Sequence, residues 1–173
     1  MDREMLDPRN RAPATAQLLA FAGNAQAMLV VEYQGESDEV RARCASHPGA
    51  LVMTDGAEQA AVWAVRRAGI ARAVGAGSRD AKPLAFIEDP AVPPENLAAF
   101  ARSVRAVLAR EEIPALWYGH ASVGCLHIRP LLDLRADGAV ATMRRVAEAV
   151  ADLVVANGGS LSGEHGDGRV RSE

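Results

Sequence analysis

The chain alternates short apolar runs with longer stretches in which apolar residues recur every three or four positions. "AMLVVEY" (27–33) is apolar and rich in β-branched residues, and it reads as a strand. "ALVMTD" (50–55) and "PLAFIED" (83–89) share that character. "ALWYGH" (115–120) and "CLHIRPLL" (125–132) read as two strands joined by a tight turn. Helical patterns fill the spaces between. "SDEVRARCA" begins at Ser37, a plausible cap, and ends before a Pro48–Gly49 turn. A long helix is expected from Gly56: Asp55 with Glu58 three residues later resembles a capping box, and Val62, Val65 and Gly69 would face a core. Pro94 can open the next helix, where its missing N–H costs nothing. Leu97, Phe100, Val104, Val107 and Leu108 then share one face. Val140, Met143, Val146, Val150, Leu153 and Val154 form the stripe of a last helix, which Gly158–Gly159 ends. "GAGSRDAKP" (75–83) should be a mobile loop, and "SLSGEHG" a final short strand running into a loop.

The order is therefore β-α-β-α-β-α-β-β-α-β. Strands alternate with helices, yet one hairpin interrupts. That implies an α+β, ferredoxin-like fold: a mostly antiparallel sheet with helices packed on one face. A doubly wound parallel sheet is the alternative. Residues 1–26 read as a polar, partly disordered lead-in, and 27–173 as one domain.

Composition narrows the function classes. With 173 residues, 49% of them hydrophobic, the chain can bury a real core. A net charge of -3 advertises neither a nucleic-acid surface nor an anionic membrane. Cys44 and Cys125 lie far apart and form no CxxC pair, which suits a reduced compartment. The expected location is cytoplasmic, or peripheral to the inner membrane. No apolar run approaches the roughly 20 residues of a transmembrane helix, and the charged start is no secretory signal. The chain stops directly after its densest polar motif, "GEHGDGRVRSE", as expected of a piece of a longer protein.

Two of the four histidines, His120 and His127, bracket Val123–Gly124. A two-residue loop there would make them direct cross-strand partners, with Cβ atoms about 4.5–5.5 Å apart. Such a pair can converge on a divalent ion at about 2.0–2.1 Å. Val123 suits a primed turn poorly, and a slightly wider loop would loosen the pairing while keeping both rings on one face. "GEHGDG" offers Glu164, His165 and Asp167 for a third ligand. Two histidines and a carboxylate with an open position form a catalytic metal pattern, and His165 could act as a base beside the ion. The plainer alternative is a polar surface pair.

"GH-x5-LH" followed some forty residues later by "GG-S-L-S-GEHG-x-G" resembles the C-terminal domain of FAD-linked oxidases, the group of D-lactate dehydrogenases, D-2-hydroxyglutarate dehydrogenases and glycolate oxidase subunits. "YGHASVGCLHIRP" with "SGEHGDGRVRSE" is most similar to a large bacterial branch in which this domain is fused to an iron–sulfur segment. The resemblance covers about residues 27–173. It implies that His120, His127 and Glu164 hold a metal, zinc first among candidates. It also implies that His165 takes the substrate hydroxyl proton as hydride leaves to FAD. Arg66, in "VWAVRRAG", matches the arginine that binds the substrate carboxylate, and Lys82 a second such position. Arg67 reads as a solvated helix face. Relatives often carry Asn two residues beyond the second histidine; Arg129 stands there and suggests a dicarboxylate substrate. They also carry GDGN between the histidines, where this chain has Ser-Val-Gly-Cys.

The flavin-binding domain that precedes this region in the family and the cysteines of an iron–sulfur centre do not occur in this sequence, so both are expected as partners in the parent protein. By itself the chain is expected to be inactive. The expected role is the substrate- and metal-binding domain of a flavin-dependent oxidoreductase that oxidises a D-2-hydroxy acid. A catalytically silent binding or assembly module of the same fold, and a stand-alone metallohydrolase, are the competing readings. Cys125 reads as a packed thiol rather than a nucleophile.

Overall fold

The structure, a computed structural model, describes residues 13–169, and the chain divides into two compact units, Met1–Arg72 and Ala73–Glu173. Among the described residues the elements are five α-helices and a three-stranded antiparallel sheet, which makes the fold α+β.

In the first unit, α1 (Pro13–Ala22) is followed by α2 (Ser37–Ala45) and by α3 (Gly56–Gly75), which runs past the unit boundary. The sequence reading assigns no element to Pro13–Ala22. Its composition is nonetheless that of a helix, dense in alanine and leucine, and Leu18 and Ala22 are buried four residues apart. Asp55 caps α3 as expected: its Oδ1 accepts the backbone N–H groups of Ala57 and Glu58 at 2.9 and 3.0 Å. Val62 and Val65 are buried together with Leu18, and Gly69 is buried too.

Two expected strands do not form. Residues 28–34 and 50–54 run as irregular chain, with Leu29, Val31 and Val52 exposed. β-Branched composition favours extended backbone, but a strand needs a neighbour to complete its ladder. Ser37 lies inside α2 rather than capping it; Glu36 holds the cap position and makes no side-chain cap bond.

The second unit carries β1 (Lys82–Pro83), α4 (Leu97–Arg110), β2 (Ala115–His120), β3 (Cys125–Leu132) and α5 (Ala139–Ala156). The sheet order is β1-β3-β2. One face of the hairpin, with Trp117, Leu126 and Ile128, joins Phe100, Val104, Val107 and Leu108 of α4 and Val146, Val150 and Val154 of α5 in one core. Full burial of a side chain of this size stabilises by about 1.5–3 kcal/mol, and the two helical stripes read from sequence supply seven of the twelve buried residues of this core. Val140 departs from its stripe: it sits in the first turn of α5 and is exposed. Gly158 takes φ +70° beyond α5, and the N–H of Gly159 returns to the Val154 carbonyl at 2.9 Å, closing the helix as expected.

The hairpin loop is wider than two residues. Ala121–Val123 make one 3-10 turn and Gly124 closes it at φ +68°. His120 therefore pairs with Cys125, and His127 with Tyr118. The slip equals two residues of register, so every side chain keeps its face. Leu116, Tyr118, His120, Cys125, His127 and Arg129 share the face away from the helices.

The expected strand at 83–89 is confined to Lys82–Pro83, which pair with Leu132 and Leu131. Isolated bridges then follow at Ile87–Ile128 and Ala91–Cys125. Between successive pairings four residues of this edge oppose three of β3, so the ladder is broken by bulges. Pro83 and Pro90 donate no N–H, which confines such a segment to an edge. Since Ile87 faces the helices, Glu88 falls on the histidine face. The expected last strand likewise shrinks to one bridge, in which Ser160 and Ala91 exchange both backbone hydrogen bonds at 2.8 and 2.9 Å.

Candidate metal and substrate site

β2 and β3 deliver His120 and His127 diagonally across one face, with ring centroids 5.4 Å apart and planes nearly perpendicular. The segment after α5 brings in the third group. Glu164 Oε1 lies 2.8 Å from His127 Nε2 and 3.4 Å from His120 Nε2. One ligand atom from each of the three lies within 4.8 Å of the others, a spacing compatible with one shared ion. Four-coordinate zinc with bonds of about 2.0–2.2 Å spaces its ligand atoms by about 3.4 Å, so the donor set fits a small divalent cation.

The electrostatics agree with a ligand role. His127 is buried, and that burial lowers its pKa; the carboxylates of Glu88 and Glu164 oppose the shift without reversing it. The ring is thus held in the neutral form that a metal requires. His120 and Glu164 are each 41% exposed, so the third side of the cluster is open to solvent or substrate.

His165 stacks on His127 with centroids 4.9 Å apart. Its Nε2 lies 3.7 Å from Glu164 Oε1 and its Nδ1 3.8 Å from Glu88 Oε1. The expected base therefore stands beside the expected ligands. The fourth histidine, His47, belongs to the first unit, where it hydrogen-bonds Tyr33.

Arg129 is held by its neighbours. Its Nη2 meets the buried Glu88 at 2.8 Å and its Nε donates to Tyr118 Oη at 2.9 Å. The Tyr118 hydroxyl in turn donates to Glu88 at 3.3 Å. Burial pushes the Tyr118 phenol above its usual range, which keeps that donor protonated. Lys82 is exposed and pairs with Leu132, five residues along β3 from His127. That separation is about 16 Å at the rise of a strand, so the sheet does not bring Lys82 to the histidines. Arg66 lies on α3 in the first unit, half-buried. Cys125 shares the histidine face, its Sγ 3.9 Å from Glu164 Oε1. Burial, with help from the nearby carboxylates, pushes its pKa to about 11, so it stays a thiol.

Glu88, Asp89 and Tyr118 escaped the sequence reading. Glu88 binds Arg129 and faces two imidazoles; Asp89 accepts bonds from the segment that carries Glu164 and His165. The available signal was "PLAFIEDP": two adjacent acids that end an apolar run and precede a proline, an expensive place for charge unless each has partners. A cleft of about 330 Å³ lies between Phe86–Pro90 and α5, bordered by Glu88 and Asp167. Among the described residues, none of the three histidines or Glu164 lines it.

The family model described as FAD linked oxidases, C-terminal domain, matches residues 1–173. A D-2-hydroxyglutarate dehydrogenase of Haemophilus influenzae is 40% identical over 111 residues, 64% of this chain and 11% of the relative. A D-2-hydroxyglutarate dehydrogenase of Pseudomonas putida is 32% identical over 157 residues, 90% of this chain and 15% of the relative. Glycolate oxidase subunit GlcD of Bacillus subtilis is 28% identical over 161 residues, 86% of this chain and 33% of the relative. The chain thus spans between a ninth and a third of the length of these relatives. With the family model matching from end to end, the chain belongs to the FAD-linked oxidase C-terminal domain family.

Proposed function

We propose that this chain is the substrate- and metal-binding part of a flavin-dependent oxidoreductase that converts a D-2-hydroxy acid to the 2-oxo acid. The observation that carries this reading is the convergence of His120 Nε2, His127 Nε2 and Glu164 Oε1, with His165 alongside. In it, His120, His127 and Glu164 hold a divalent ion, zinc by choice of donors. A bound ion supplies Lewis acidity, lowering the pKa of a hydroxyl held beside it. His165 receives the hydroxyl proton. FAD, held mainly by a flavin-binding domain elsewhere in the parent protein, supplies a hydride acceptor for the α-carbon hydrogen. An iron–sulfur segment is the proposed onward electron route.

Of the groups expected to bind the substrate carboxylate, Arg129, on the histidine face, is the one proposed for that role. The relatives named D-2-hydroxyglutarate dehydrogenase favour a dicarboxylate over lactate or glycolate. Arg129 would then be shared between Glu88 and the substrate. No helix among the described residues is long and apolar enough to cross a membrane, and a cytoplasmic location is proposed.

Zinc binding to the purified chain tests the metal set, by calorimetry and by metal content after dialysis. One equivalent is expected for the wild type, with loss in His120→Ala. A chain that takes up no zinc removes the foundation of the reading. Oxidation of D-2-hydroxyglutarate by the longer parent protein, with an artificial electron acceptor, tests the chemistry. No turnover of any D-2-hydroxy acid would reject it.

A further inference from the structure

Glu164 and His165 lie on a segment without helix or ladder, yet the proposed site needs both side chains held to within a fraction of an ångström. What holds them is a buried carboxylate, that of Asp89. The Asp89 carboxylate is fully buried, and one of its oxygens, Oδ2, accepts three hydrogen bonds from this segment. The donors are the backbone N–H of Glu164 at 2.8 Å, that of His165 at 2.7 Å, and the Ser162 hydroxyl at 3.2 Å. Two successive N–H groups on one carboxylate oxygen form an anion-binding nest, here with the anion supplied by the protein itself. Bonds to an ionised acceptor are about twice as strong as neutral ones.

The Asp89 carbonyl adds a fourth bond, from the N–H of Gly163 at 2.8 Å. Close approach makes that glycine necessary: a Cβ at position 163 would lie 2.9 Å from the Ala91 Cβ and 3.4 Å from the Cys125 Sγ. The grip therefore reaches the backbone of the two reactive residues and leaves their side chains free to point at the imidazoles of β2 and β3.

We infer that Asp89 is a positioning residue, a buried carboxylate latch that presents the Glu164 carboxylate and the His165 imidazole to the metal and substrate. The inference rests on the metal reading above. It adds a residue that touches neither ion nor substrate, and it assigns the glycine at 163 a packing reason.

The test uses the whole 173-residue chain, Co²⁺ as probe, and amide hydrogen exchange. Asp89→Ala is expected to weaken Co²⁺ binding by about 10–100-fold, the range for loss of a group that orients ligands, and to alter the d–d absorption. Amide exchange at Glu164 and His165 should quicken by about tenfold or more, since each loses a charge-assisted bond. Asp89→Asn keeps a side-chain carbonyl for the same N–H groups and is expected to recover most of the affinity and the spectrum, as a merely space-filling role would not require. If Asp89→Ala does not fold, Gly163→Ala takes its place, since it shifts the same segment and leaves all ligands intact. Wild-type Co²⁺ affinity and spectrum in the variant, or unchanged exchange at 164 and 165, overturns the latch. A wild-type chain that binds no Co²⁺ overturns the metal reading instead, and exchange alone then judges the latch: quickened exchange supports it, unchanged exchange rejects it.

Discussion

Replacing Arg129 with methionine is the sharpest available test of how the histidine face is held. Glu88 is 3% exposed and Arg129 only 16%, so their 2.8 Å contact is largely withdrawn from water. The other oxygen of Glu88, Oε2, is buried with no hydrogen-bond partner among the described residues. Arg129→Met keeps the aliphatic stem and removes the charge. It would leave Glu88 buried without its cation and take a 2.9 Å donor from Tyr118. Breaking a buried pair from one side costs about 3–5 kcal/mol, and the partial exposure of Arg129 argues for the lower end. At a urea slope of about 2 kcal/mol/M, the midpoint should fall by about 1.5 M. Trp117 packs against the core of the second unit, and the only other tryptophan, Trp63, lies on α3; a Trp63→Phe background makes fluorescence report the second unit alone. Adding Glu88→Leu to Arg129→Met should restore much of the loss, because a buried pair replaced from both sides is often near neutral. A loss below about 1 kcal/mol, or effects that simply add in the double variant, would show that the two charges do not depend on each other.

Other outcomes follow from single contacts. Gly124→Ala should destabilise by at least about 2 kcal/mol, because the position has φ +68° and a Cβ would collide with the Val92 carbonyl; a variant within 0.5 kcal/mol of wild type by urea unfolding would contradict the loop. Cys125 is buried with a pKa of about 11, whereas Cys44 is only half-buried. One thiol should therefore react rapidly with a disulfide reagent at pH 8 and the second only on unfolding; a fast phase that survives Cys44→Ser would reverse the assignment. At Asp89, burial raises the pKa, but the N–H groups of His165 and Glu164 outweigh it and leave the carboxyl below its usual 3.8. Its contribution to stability should be complete above that value and vanish as pH falls through the folded-state pKa. Acid titration by circular dichroism should thus be steeper in the wild type than in Asp89→Asn, and equal slopes would contradict the shift.

The strongly periodic elements are legible in the sequence. α4 and α5 follow from apolar residues at helical spacing, because a stripe that is buried on one side is itself the reason those helices are stable. The hairpin bounds at 115–120 and 125–132 were legible as well, and the nearness of His120 and His127 survived a wider loop. It survived because a shift of two residues preserves the face, whereas a shift of one would have separated the rings. The strands expected at 27–33 and 50–55 were illegible for the opposite reason: β-branched composition states a preference, and a ladder needs a partner that local sequence does not name.

The site divides along the same line. Its donors, His120, His127, Glu164 and His165, were readable as residue types at telling spacings and by resemblance to a family. That they meet was decided in three dimensions. Glu164 reaches the imidazoles because the edge segment around Asp89 and Ala91 lies beside β3 and binds the chain that follows α5. Arg129 and Glu88 are 41 residues apart, and nothing local in either stretch announces that one neutralises the other. The sequence alone determined which chemistry is available and which faces carry it, since periodicity and residue type are local properties. Only the tertiary structure decided which charges are buried together, and which carboxylate holds a chain in place, because desolvation and hydrogen bonding depend on neighbours that arrive from far along the chain.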